Sequence, residues 1–147
     1  MRHLPSSPTA AASPDRFTGQ VWVDPIADGE APSRLRLALV HFAPGAHTAW
    51  HRHTLGQTLR VTDGAGIVQS RGGQTFLLRP GETVQTPPGE WHWHGALPDR
   101  FMSHLAASET AGDPDVADVE WGGHVTSAEY EAALQHARPD TATAGSR

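Results

Sequence analysis

Two pairs of histidines, His51 with His53 and His92 with His94, constrain this chain more than any other feature. In a strand the side chains alternate faces, so each pair points one way, with roughly 6.6 Å of rise at ~3.3 Å per residue. Both imidazoles of such a pair can tilt onto one ion at about 2.1 Å. Leu55-Gly56 is a plausible chain reversal, because glycine allows the backbone angles of a tight turn, and it returns Gln57 toward the same interior as a third ligand. Pro87-Pro88-Gly89 marks a rigid turn before the strand of His92 and His94, where one histidine can ligate and the other stand beside the metal. Together these residues read as a metal site inside a small β-barrel.

The rest of the chain supports the barrel. Asp63-Gly64, Arg71-Gly72-Gly73 and Arg79-Pro80-Gly81 are turn signals around the β-rich runs Thr58 to Thr62, Ile67 to Ser70 and Thr75 to Leu78. Strands this short and evenly punctuated indicate an all-β barrel or sandwich. From Arg34 to Phe42, Leu35, Leu37 and Leu39 alternate with Arg34 and Arg36 before the run becomes apolar on both faces. Gly19 to Ile26 is a strand that its proline restricts to an edge or an interface. Arg100 to Ala107 follows the Pro98-Asp99 turn and carries His104. Thr126 with Glu129 three residues on has the form of a capping box, predicting a short helix over Ser127 to Ala137 that stops before Pro139.

At this point the chain resembles the cupin superfamily, small jelly-roll barrels (double-stranded β-helices) with a metal in the middle. Gly45, His51, His53, position 57 and Gly64 fall into the first cupin motif, and Gly81, Pro87, Gly89 and His92 into the second. There are two departures: Gln57 stands where glutamate is usual, and Ala96 where asparagine is usual. The resemblance covers roughly residues 34 to 107. More narrowly, the segments from Phe42 to Gly45, Thr48 to His51, Leu55 to Leu59, Pro87 to Glu90 and His92 to Ala96, with a late strand histidine at His104, resemble bacterial cupins that include manganese-dependent hydroxynitrile lyases. That resemblance implies His51, His53, Gln57 and His92 as metal ligands, Mn(II) as the ion, and His94 and His104 near the substrate. It also implies a homodimer or homotetramer.

Gln57 in place of glutamate has a physical consequence. A carboxylate would lower the site's formal charge, whereas an amide leaves the full charge on the metal, which becomes a stronger Lewis acid held with lower affinity. Three imidazoles and an amide accommodate manganese, iron, nickel, copper or zinc, and ligand type does not choose among them.

With 147 residues the chain suits one domain, expected over 16–137, between a disordered segment at 1–15 and a disordered tail at 138–147. The balance of 16 acidic against 11 basic residues, with scattered arginines, argues against nucleic acid. No cysteine is present for a disulfide or a thiolate site. The segment from Met1 to Ser13 lacks the apolar core of a secretory signal, and no run is long enough to span a bilayer, so a cytoplasmic protein without membrane contact is expected.

Each histidine also has a plainer reading. His3, His47, His124 and His136, with His41 beside them, fit surface or satisfied core positions. His94 either orients His92 or acts as an acid/base group, and His104 either packs in the core or faces the metal cavity. Gln57 either ligates or hydrogen-bonds a strand edge. Trp50, Trp91 and Trp93 are packing residues that can also line the cavity mouth. Ala38, Val40, Phe42, Leu59, Met102 and Leu105 are core residues first and pocket walls second, and Thr48 is a candidate hydroxyl donor.

Three functions use this site. The first is a metal-dependent lyase acting on a small hydroxylated compound, with cyanohydrin cleavage as the form the resemblance implies and His94 and His104 as acid and base. The second is a dioxygenase with iron, nickel or copper at the same ligands. The third is a metal-containing small-molecule binding module without turnover.

Overall fold

Runs of β-branched and apolar residues, each closed by a turn, form thirteen strands and one helix in the computed structural model, which describes residues 1–137. The tail expected at 138–147 lies outside the described residues. The strands are β1 (Ala10–Ala11), β2 (Phe17–Thr18), β3 (Val21–Asp28), β4 (Leu35–Phe42), β5 (His47–Thr48), β6 (His51–His53), β7 (Gln57–Gly64), β8 (Gly66–Ser70), β9 (Thr75–Leu78), β10 (Thr83–Thr86), β11 (His92–Ala96), β12 (Met102–Glu109) and β13 (Val119–Trp121). The helix is α1 (Ser127–His136). One sheet runs β1-β3-β4-β12-β7-β10. The other runs β13-β6-β11-β5-β2, with β8 joining β11 to β9. This is the all-β jelly roll with one short C-terminal helix that the sequence predicts.

The first sheet presents one continuous row to the interior. Phe42, Val40 and Ala38 of β4 lie opposite Met102, His104 and Ala106 of β12, which in turn face Gly64, Val61 and Leu59 of β7. The register holds because β7 carries one extra residue, Thr62, whose hydroxyl donates to the Ser103 carbonyl at 3.2 Å. Gly64 closes this strand at φ +74°, and a Cβ there would run into the Phe101 carbonyl. Only glycine fits. Gly56, at φ +82°, makes the reversal that delivers Gln57, and a Cβ there would come within 2.6 Å of the Thr86 carbonyl.

Two apolar clusters hold the layers. Val21, Val40, Phe42, Val61, Val68, Leu78 and Met102 fill the space between the sheets, while Trp50, Ile67, Trp93, Tyr130 and Ala133 join the second sheet to α1. The helix begins as predicted: Thr126 Oγ1 accepts from Glu129 N at 3.1 Å and Thr126 N donates to Glu129 Oε2 at 2.7 Å. Tyr130 then donates its hydroxyl to the Ala96 carbonyl at 2.7 Å. Trp93, fully buried against this layer, donates Nε1 to Gln69 Oε1 at 2.9 Å. Removing such a side chain costs about 3–5 kcal/mol. Its burial also fixes the phase of β11, because a slip of one residue would turn Trp93 inward and His92 and His94 out.

Part of the segment 1–15 takes up regular structure. Ala10 and Ala11 pair with Val23 and Trp22 of β3, and Thr9 Oγ1 donates to Asp24 Oδ1 at 2.5 Å. Backbone pairing, rather than apolar burial, supplies this order. Pro25 occupies a register shift in β3, where a missing donor is tolerated, so β3 continues to Asp28 with β4 on one side and, among the described residues, only the short β1 on the other.

Candidate metal centre

Strand alternation in β6 turns both His51 and His53 inward, and antiparallel pairing sets His92 of β11 opposite His51. One ring nitrogen from each of the three lies within 4.8 Å of the other two. Gln57, the first residue of β7, arrives from the opposite sheet with Oε1 3.1 Å from His92 Nε2. The backbone chooses the tautomers: His51 Nδ1 donates to the Ala49 carbonyl and His92 Nδ1 to the Glu90 carbonyl, each at 3.0 Å. The Nε2 lone pairs are left facing the centre.

This donor set fits a divalent ion. Burial pushes the pKa of His51 well below its usual value, and the neighbouring His92 adds to the effect. His53 is pushed down to about 4 by burial and by His92, against the opposing pull of Asp118. His92 is lowered by burial. All three are neutral and ready to ligate at pH 7. Carbonyl oxygens face both nitrogens of His92, yet a neutral ring has one N–H to give. A divalent cation held by these residues would resolve the conflict by taking the Nε2 lone pair.

Behind this cluster sits a second pair. His94 of β11 and His104 of β12, from opposite sheets, are both buried, with His104 Nε2 3.1 Å from His94 Nδ1. Their other nitrogens, His94 Nε2 and His104 Nδ1, are buried and have no hydrogen-bond partner among the described residues. Burial and the nearby histidines push His94 well down; burial pushes His104 to about 4, partly offset by the Leu105 backbone. The His94 ring lies 5.2 Å from that of His51 and 5.8 Å from that of His92.

The expected pocket walls take several positions. The Phe42 ring packs against both inner histidines, at 5.8 Å from His94 and 5.3 Å from His104. Val40 pairs with His104 across the sheet, Leu59 lies beside Ala106, and Ala38 is half-buried against the core. Met102 fills the space left by Gly66, where a Cβ would strike its sulfur. Thr48 uses its hydroxyl to accept from His94 N at 3.2 Å, so it positions the backbone of β11. A cavity of about 190 Å³ bordering His92 is lined instead by Val68, Ser70, Phe76, Val84 and Thr86 among others.

The other singled-out residues lie away from the metal cluster. His47 stacks on Tyr130 at 4.8 Å, and His41 bridges Asp24 and Ser103 at 2.8 Å each. Trp50 and Trp91 flank the Arg71 guanidinium at 4.8 and 4.7 Å. Trp121, which sequence reasoning missed, stacks on His51 at 4.7 Å and fixes that ring from behind. Its three-residue strand has too little alternation to be read from sequence.

The chain belongs to the cupin family. The cupin domain matches residues 38–103, and the chain is 43% identical over 130 residues to an (R)-mandelonitrile lyase from Granulicella tundricola, covering 88% of this chain and 97% of that protein. Among solved structures, a cupin-like protein from Thermotoga maritima superposes with a TM-score of 0.77 at 40% identity, over 84% of this chain and 92% of its own. A cupin-2 domain from Rhodospirillum rubrum shares the fold at 17% identity, with a TM-score of 0.65 over 90% and 84% of the two chains.

Proposed function

We propose that this protein is a metal-dependent lyase that cleaves and forms a cyanohydrin, with manganese(II) held by His51, His53, Gln57 and His92. The observation that carries the reading is the neutral His94–His104 pair placed directly behind the ligand cluster. The similarity to a mandelonitrile lyase supplies the substrate class.

When bound, a divalent ion supplies Lewis acidity that lowers the pKa of a hydroxyl beside it. The two inner histidines handle the protons. Across their 3.1 Å contact one ring donates and the other accepts. Because each neutral imidazole carries one N–H, the remaining nitrogens must be one acceptor and one donor, whichever way the shared proton sits. The acceptor takes the substrate's hydroxyl proton while the O–H electron pair forms the carbonyl. The carbon–carbon bond then breaks with its electrons on cyanide, which receives a proton from the donor. Phe42 and the surrounding core keep water from the pair, and Thr48 and Trp93 hold the strand that presents His94.

The deciding experiment is anaerobic cyanide release from mandelonitrile by chelator-stripped protein, before and after manganese is restored. Release that returns with the metal and disappears in His51→Ala supports the lyase; oxygen consumption without cyanide overturns it. The homodimer or homotetramer belongs to the same proposal and is read by sedimentation equilibrium.

A further inference from the structure

The cavity of about 190 Å³ occupies the seam where the two sheets do not pair. Among the described residues β9 pairs only with β8, and β10 only with β7, and both strands contribute to the lining of this cavity. Strand parity settles which side chains point into it. Val68 lies opposite both His94 and Phe76, and Ser70 opposite His92, so these share the inward face of the second sheet. On the first sheet Val84 lies opposite Leu59 and Thr86 opposite Gln57. Thr86 Oγ1 also donates to the Gln57 carbonyl at 3.3 Å. The inner end of the cavity is therefore bounded by His92 and by the strand end that carries Gln57, while Phe76, 46% exposed, stands at the outer end.

Size and lining together define an occupant. Val68, Phe76 and Val84 give three apolar walls, one of them an aromatic ring suited to edge-on or offset contact with another. A cavity of about 150 Å³ is enough to hold benzene, so this one has room for a single six-membered ring or a short branched alkyl group. On the other side of the histidine cluster Phe42 and Met102 are buried, each at most 1% exposed. The seam is the direction in which a substrate bound at the metal has room to extend.

We propose that the seam cavity is the binding site for the substrate's organic group and restricts it to one aromatic ring or a short alkyl chain, with Val84 and Phe76 setting the limit. This rests on the lyase reading for the reaction but not for the binding. A ¹⁹F NMR titration of the full-length protein with zinc(II) present, using 4-fluorobenzyl alcohol and (6-fluoronaphthalen-2-yl)methanol, tests it without turnover. Wild type is expected to bind the single ring at least about tenfold more tightly than the fused one. Val84→Phe should weaken the single-ring ligand by about tenfold or more, and Phe76→Ala, which removes an exposed wall, should bring the two affinities within about threefold. Equal binding of both ligands by wild type, or no change in either variant, overturns the proposal. If Val84→Phe does not fold, the exposed Phe76 position decides alone. Ligand selectivity without cyanide release would remove the lyase reading and keep the subsite; cyanide release with unchanged selectivity in both variants would do the reverse.

Discussion

His104 Nε2 and His94 Nδ1 meet at 3.1 Å across the barrel, one from each sheet, and leave one donor and one acceptor buried beside the three-histidine cluster. In the proposed reaction the two rings act as a unit, so removing either breaks the relay. His94→Ala and His104→Ala are each expected to lower kcat by about 10² to 10⁴, and the double variant should fall little further than the worse single one. Metal content, measured by elemental analysis, should stay at the wild-type level in both. Additive losses would mean that the two histidines serve separate steps.

In the proposed lyase Gln57 sets the balance between holding the ion and activating the substrate, its Oε1 being brought from the opposite sheet to within 3.1 Å of His92 Nε2. Gln57→Glu adds a negative charge to the ligand set. Metal affinity, read by competition with a chelator, should rise on the order of tenfold, while kcat falls by a similar factor because the ion polarises a bound hydroxyl less. A variant with faster turnover would refute this account of the amide.

The parts of this site that are legible in the sequence are those fixed by short spacings. His51 and His53 are two residues apart on one strand, Gly64 ends β7 at a positive φ, and Thr126 with Glu129 caps a helix within one turn; each depends on neighbours in the chain. The rest depends on pairings between distant segments. Trp121 finds His51 because the short β13 docks on β6, and Ala10 and Ala11 are ordered only because β3 offers an edge. Val68, Phe76 and Val84 look like ordinary strand residues until the register shows that they converge at an unpaired seam. Met102 packs where the Gly66 backbone leaves room for its sulfur, a fit between two strands that neither shows alone.

Non-local order also gives a stability prediction. His41 joins Asp24 of β3 to Ser103 of β12 through two 2.8 Å hydrogen bonds, and Asp24 in turn accepts from Thr9. His41→Ala should lower Tm by about 4–8 °C, the loss expected for roughly two hydrogen bonds' worth of stability in a domain of this size. Amide exchange at residues 10–12 should quicken, because the strand that holds them loses an anchor. Unchanged exchange there would show that the β1 pairing is independent of His41.

Buried neutral histidines make the metal-free protein sensitive to acid in a predictable direction. His104 is fully buried and titrates at about 4 in the folded state, against about 6.5 when unfolded. Between those values the unfolded chain binds the proton and the folded chain does not, so stability is complete above pH 6.5 and declines as the pH falls toward 4. The slope is roughly 1 kcal/mol per pH unit for each such group, and His94, displaced in the same direction, adds to it. Calorimetric Tm values of chelator-stripped protein at pH 7.5 and pH 4.5 should therefore differ more in wild type than in His104→Leu, which has nothing to protonate at that position. If the leucine variant shows the wild-type pH dependence, protonation of His104 is not what unfolds the barrel in acid, and the ligand cluster becomes the place to look.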